Sequence, residues 1–228
     1  MGSADGTNGG KGRAMAEDVP AVLNLASEEG LRALLSRRSV KTRDLGEPGP
    51  QGEALARILA AARRVPDHGK LAPWRFIVVS GEARAALGER LAACRRAEEP
   101  EGDPAVAKGL EGFFLEAPVV VILVSSPSSA RPIPEWEQQL SCGAAGFALL
   151  AAAHMSGFAG QWLTGWPAYS RLFAACLGLA PRERIAGFIF LGTARRTPSE
   201  RPRPAEEEVV RHLATAADVA ALTGAKAG

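Results

Sequence analysis

The sequence is short of the residues that metal centres and covalent frameworks require. Its three cysteines (Cys94, Cys142, Cys176) and three histidines (His68, His154, His212) stand alone, with no Cys-x-x-Cys pair and no His cluster. An odd, widely spaced set of thiols argues against a disulfide framework and a zinc site, and it fits a reducing, cytoplasmic setting. Net charge is scarce too. Twenty-seven basic against 25 acidic residues leave +2, which gives no ground for nucleic-acid binding through bulk charge, so any functional positive surface must be local. No Gly-x-Gly-x-x-Gly turn follows a strand, and no Walker loop or Gly-x-Ser-x-Gly elbow occurs; the chemistries built on those motifs are set aside. Long apolar runs are missing as well. The least polar stretch, Cys142 to Gly160, is mostly Ala and Gly and includes His154 and Ser156, so it reads as a buried packing helix rather than a membrane span.

What is present describes one globular domain. A hydrophobic fraction of 46% over 228 residues suffices for a substantial core. Residues 1–26, polar and Gly-rich with no apolar h-region, read as a disordered leader. Residues 27–196 carry the alternating elements, and residues 197–228, Pro-rich and then weakly helical, form a C-terminal arm.

Periodicity predicts helices over Ser27–Arg38, Glu53–Arg64, Glu82–Arg96, Glu135–Met155 and Tyr169–Leu177, and a weak one over Glu206–Leu222. It predicts strands at Trp74–Val79, Pro118–Val124, Ala159–Thr164 and Ile185–Leu191. Glu47–Pro50 is a turn, and the charged stretch Ala97–Lys108 is a loop or mobile helix. Within Glu135–Met155, the run Gly143-Ala-Ala-Gly146 makes the helix thin enough for close approach, at a domain centre or a subunit interface. Four strands interleaved with helices, without a βαβ repeat, indicate an α+β layer fold.

Four segments could carry chemistry. Arg37-Arg38-Ser39 with Lys41, at a helix end, offers guanidinium forks and a hydroxyl suited to phosphate; a solvated basic helix end fits the same residues. Arg64 to Lys70, including His68, lies in a Pro/Gly-punctuated loop feeding a strand, which an ordinary connection would also explain. Trp162-Leu163-Thr164 is flanked by Gly160 and Gly165, which admit a planar ligand or simply a tight turn. Arg195-Arg196 follows a strand end, where solvated cations are common. Cys142 and His154 read as packed core residues rather than a nucleophile and a base.

Taken together, Arg37-Arg38-Ser39, Ala62 to His68 with Pro73-Trp74, Trp136-Glu137-Gln138, Gly157 to Gly165 and Gly187 to Thr193 resemble the nitroreductase family, closest to its small YdjA-type members. The resemblance implies an α+β fold with a central mixed sheet wrapped by helices. It also implies an intertwined homodimer with FMN at the subunit interface and a C-terminal arm reaching the partner. The implied activity is FMN-dependent oxidation of NADH or NADPH with reduction of a nitroaromatic, quinone or similar small acceptor, with no membrane or nucleic-acid partner and no metal. Arg37, Arg38 and Ser39 are implied to meet the FMN phosphate and ribityl chain, Lys41 the flavin pyrimidine ring, and Arg64, His68 and Lys70 the cofactor from the loop. Trp162, Leu163 and Thr164 are implied to lie beside the isoalloxazine, and Arg195 or Arg196 to close on the phosphate. The flavin carries the chemistry, so no side chain is implied as acid or base. Ala72 replaces a Gln often found before Pro-Trp, and Leu163 an Arg of the subgroup. Those replacements keep open a flavin-binding domain with little turnover; a flavin-degrading or dehalogenating relative is a separate alternative, which needs lid residues that the loop Ala97–Lys108 does not show.

Overall fold

The computed structural model describes residues 26–224, so the predicted leader lies outside them except for its last residue. The chain divides at Pro198 into two units. In the first, helices cover both faces of an antiparallel sheet. Strand β1 is Leu45–Gly46, β2 Trp74–Ser80, β3 Val119–Ser125, β4 Ala159–Leu163 and β5 Arg184–Ala194. The helices are α1 Glu28–Ser36, α2 Gly52–Ala62, α3 Ala83–Glu98, α4 Pro104–Leu110, α5 Glu135–Met155, α6 Trp166–Tyr169 and α7 Arg171–Cys176.

Every ladder is antiparallel: β5 pairs with β3 on one side and with β4 and β1 on the other, and β2 pairs with β3. This corrects the mixed sheet expected above. Strands β3 and β4 run parallel, as a crossover through α5 requires, but β5 lies between them and opposes both. Among the described residues, the one parallel contact is an isolated bridge from Ser39 to Gly160. Strand β1, two residues long, is too short to leave a periodic signal.

The sheet separates two cores because successive side chains point to opposite faces. Val119, Val121 and Leu123 meet Ile58 and Ala62 of α2 and Cys142, Ala145 and Leu149 of α5. Val120, Ile122 and Val124 meet Leu91 and Cys94 of α3, Phe114 and Phe173. A continuous apolar run in β3 is the mark of a strand covered on both faces. The predicted loop Ala97–Lys108 contains the start of α4, which the Asp103 carboxylate caps by accepting from Ala105 N at 2.8 Å. The predicted Tyr169–Leu177 helix is broken at Ser170, which has an extended backbone and caps α7 through its hydroxyl, accepting from Phe173 N.

A bulge in β5 shapes the interior. The register with β3 shifts between Leu123 and Val124, leaving Ala186 as the extra residue. Ala186 O accepts the Trp162 Nε1–H at 3.2 Å, and a Cβ on Gly187 (φ +157°) or on Gly146 would overlap that indole. Gly187→Ala is therefore expected to destabilise by about 2–4 kcal/mol in urea unfolding, with part recovered when Trp162→Val is added.

Arg75 of β2 clamps the turn before β5. Its Nε and Nη2 donate to Glu183 at 2.6 and 2.7 Å, and Ala180 N adds a third bond to that carboxylate. The Arg75 hydrogen bonds are the main cause that holds the Glu183 carboxyl down at about 2, from 4.5. A depressed carboxylate stabilises the fold above about pH 4.5 and loses that contribution as pH falls toward 2. Denaturation midpoints should fall more steeply over that window in the parent chain than in Glu183→Gln.

In the second unit, α8 (Glu206–Val209) and α9 (Ala216–Ala220) are short, with α9 opened by a Thr215–Asp218 capping box. They replace the single weak helix expected over Glu206–Leu222, whose sequence lacks a sustained apolar face. Among the described residues no helix is long and apolar enough to cross a membrane.

Candidate functional site

Helix α1 ends two residues earlier than its periodicity suggests. Arg37 adopts an extended backbone (φ −58°, ψ 131°) and turns the chain onto the sheet edge. There Val40 N donates to Gly160 O at 3.1 Å, Thr42 N to Gln161 Oε1 at 2.9 Å, and Arg195 N to Asp44 O at 2.8 Å. Those three bonds hold the segment 37–46 between the start of β4 and the end of β5. They also bring Arg37, Arg38, Ser39, Lys41 and Arg195 to one edge of the molecule.

The side chains on this edge differ in what they already do. Arg38 Nη1 donates to Leu35 O and Arg37 O, both at 2.9 Å, so this guanidinium also caps α1. Ser39 and Lys41 are exposed while Val40 between them is buried, which anchors the segment and presents its neighbours outward. The Arg195 guanidinium lies across the backbone of Gly46, in space that a Cβ there would fill. Arg196 is almost fully exposed and 3.9 Å from Asp44, a loose pair of little energetic weight. The cations and the Ser39 hydroxyl are groups able to meet the oxygens of a phosphate monoester.

His154 was expected to be a packed core histidine, and the structure places it differently. It is half-buried at the C-terminal end of α5, with Nε2 3.3 Å from Ser36 Oγ, one residue from Arg37. Gln161 and Glu116 are further residues missed in the sequence: Gln161 holds Thr42 N, and the Thr42 hydroxyl donates to Glu116. The available signal was a polar residue inside a Gly-flanked strand.

The second cationic set sits elsewhere. Arg64 and Lys70 are exposed in the connection from α2 to β2. Asp67 braces that loop by accepting from Leu71 N at 3.0 Å and Ala72 N at 2.8 Å. Lys70 (φ 56°) and Ala72 (φ 46°) both take the left-handed conformation, uncommon for residues with a Cβ. His68 Nδ1 lies 2.7 Å from Glu137, and Ser141 donates to Pro66 O, so the loop is docked on the first turns of α5. The Arg37 set touches α5 at His154, 17 residues later. At 1.5 Å per residue, roughly 25 Å of helix separates the two sets within one chain.

Trp162, Leu163 and Thr164 end β4. The Trp162 indole is turned inward against Gly146 and Gly187, and Leu163 packs on the opposite face against the core that contains Phe188. Thr164 and Gly165 are exposed. What this strand end offers outward is therefore the Thr164–Gly165 turn rather than the indole. The Cys142 thiol is buried, and burial pushes it up to about 11, which suits a packing role.

YdjA of Escherichia coli (strain K12), which bears an NAD(P)H nitroreductase name, is 35% identical over 165 residues, spanning 72% of this chain and 88% of YdjA. A nitroreductase-like family protein from Bacillus cereus superimposes with a TM-score of 0.69 at 22% identity, covering 83% of this chain and 98% of its own. A nitroreductase-type protein of Desulfovibrio desulfuricans, solved in complex with FMN, superimposes with a TM-score of 0.63 at 22% identity, covering 83% of this chain and all of its own. The two structures share the fold. The model of the Nitroreductase family matches residues 34–193, which take in the segment Arg37–Lys41, the Arg64–Lys70 loop and nearly all of β5, and stop short of Arg195. The chain belongs to the nitroreductase family.

Proposed function

We propose that this chain is an FMN-dependent oxidoreductase that oxidises NADH or NADPH and reduces a nitroaromatic, quinone or similar small acceptor by a ping-pong mechanism. The observation that carries the reading is the edge formed by Arg37, Arg38, Ser39, Lys41 and Arg195, a donor set fitted to the phosphate end of the cofactor in a chain of this family. Arg37, Ser39 and Arg195 hold the phosphate and ribityl end; Arg38 combines that role with capping α1. Arg196 adds a second cation beside Arg195. Lys41 sets a positive charge where negative charge on the ring would be stabilised. Thr164, with backbone from Trp162 and Leu163, borders the ring. When bound, FMN supplies the redox chemistry, taking hydride from the nicotinamide and passing reducing equivalents to the acceptor that replaces it. The protein binds, orients and shapes charge; no side chain is assigned as acid or base.

Arg64, His68 and Lys70 complete the site from a second subunit. One chain cannot bring both ends of a rigid helix to one point, but a two-fold copy with α5 antiparallel to α5 can. Trp136, Leu140 and Phe147 are 67%, 54% and 50% exposed, and with the open Gly143 they follow the 4-3-4 spacing of a helix-pairing seam. Leu31 and Leu35 of α1 add to this apolar surface. Residues 197–228 then pack on the partner through Val209, Val210 and Leu213, which are also exposed. We place the enzyme in the cytoplasm, where NAD(P)H is available and its free thiols remain reduced.

The test is spectroscopic. Purified protein supplied with FMN should turn yellow, and NADH or NADPH should bleach the bound flavin in a stopped-flow cell, with the colour restored by a quinone. Colourless protein without NAD(P)H oxidation sinks the proposal, and flavin that binds but resists both nucleotides points to a binding domain without turnover.

A further inference from the structure

Three free cysteines have no part in the flavin site, and two of them meet. Cys94, buried in the fourth turn of α3, and Cys176, exposed at the end of α7, have their sulfurs 3.5 Å apart. They come from positions 82 residues apart, so the contact is a product of the tertiary fold. About 1.5 Å of further approach reaches the ~2.05 Å of a covalent bond. The sulfur able to move belongs to a six-residue helix followed by Leu177 and the left-handed Gly178 (φ 70°), while its partner is fixed in a sixteen-residue helix.

We propose that Cys94 and Cys176 are a reversible redox modification site, which peroxide converts to an intramolecular disulfide. Cys176, the exposed thiol, attacks hydrogen peroxide as the thiolate. The O–O bond breaks, water leaves, and Cys176 becomes a sulfenic acid. The Cys94 sulfur then attacks the Cys176 sulfur, the S–O bond breaks and a second water leaves. Two thiols lose two electrons and one peroxide becomes two waters; a low-molecular-weight dithiol reverses the step. The order of events follows from access. Burial, reinforced by the hydrogen bond that the Cys94 thiol shares with Cys176, pushes Cys94 up to about 11, so it resolves the sulfenic acid rather than meeting peroxide first. Cys142, buried in α5 on the other face of the sheet, has no thiol partner.

The bond would tie together two elements that already share contacts. Glu98 of α3 accepts from Leu172 N of α7 at 2.7 Å, and Arg95 lies over the Trp166 ring of α6 at 4.7 Å. Oxidation thus fastens α3 to the helix pair that follows the Thr164–Gly165 turn. It closes a loop of roughly 80 residues, and the reduced chain entropy should raise the melting midpoint by roughly 5–10 °C.

The experiment needs no flavin turnover, so its outcome is separate from that of the proposed activity. Purified full-length protein is treated with hydrogen peroxide, alkylated with iodoacetamide and mapped by non-reducing mass spectrometry. Before alkylation the expected product is about 2 Da lighter; after it, one linked peptide pair contains Cys94 and Cys176, and dithiothreitol returns both to thiols. Cys94→Ser should leave Cys176 carrying oxygen without a link, and Cys176→Ser, at an exposed position, should leave Cys94 as a free thiol. Linkage through Cys142 or between chains overturns the proposal. So does recovery of Cys94 as free thiol in parent protein whose Cys176 has gone to sulfinic acid.

Discussion

Phe147→Asp is expected to shift the protein from dimer to monomer at micromolar concentration and to release FMN over the same dilution range. The side chain is half-exposed and lies on the seam of Trp136, Leu140 and Gly143 along α5, so a carboxylate there is tolerated in a lone chain. In a two-fold interface the same carboxylate appears twice against an apolar face, where desolvation and like-charge repulsion act together. Sedimentation and flavin absorbance over a dilution series measure both effects in one sample. A folded monomer that keeps FMN at the parent affinity contradicts a site shared between subunits.

Arg37→Ala is expected to weaken FMN binding by roughly 10- to 100-fold, in line with one or two lost charge-assisted hydrogen bonds. Riboflavin, which lacks the phosphate, provides the control: its affinity should change little. Arg38→Ala should differ in kind. That guanidinium donates to Leu35 O and Arg37 O, so its loss should also destabilise the end of α1, by about 0.5–1 kcal/mol. An Arg37→Ala protein that loses FMN and riboflavin equally would place Arg37 against the ring instead of the phosphate.

Much of this was readable before any coordinates. Strands β2, β3 and β5 announce themselves through β-branched and aromatic runs, β4 through the glycines that punctuate it, and the thin helix α5 through its Gly and Ala content. The cationic segments were visible as residue types, but not their grouping. Arg37 and Arg195 share an edge because β4 and β5 pair beside segment 37–46, a long-range register that local periodicity does not encode. The separation of the Arg64–Lys70 loop from that edge was equally hidden, since it depends on which end of α5 each segment touches. The mixed sheet implied by the resemblance differs from the all-antiparallel ladders found, and the sequence hides their order for a related reason: β5 inserts between β3 and β4 from 20 residues further along the chain. His154 was assigned to the core because its neighbours are alanines, whereas its contact with Ser36 comes from a helix more than 100 residues away.

In the proposed dimer, one flavin site uses Arg37 and Ser39 from one chain and Arg64 and His68 from the other. Subunit mixing tests it directly. Arg37→Ala and the double variant Arg64→Ala, His68→Ala are each prepared, stripped of flavin, and allowed to exchange subunits. If the site is shared, half the dimers are hybrids, and each hybrid has one site with every contact intact. About a quarter of all sites should then regain parent FMN affinity and NAD(P)H-driven bleaching. If both sets serve the site within their own chain, no hybrid contains an intact site. Mixing that restores neither binding nor bleaching would contradict the account.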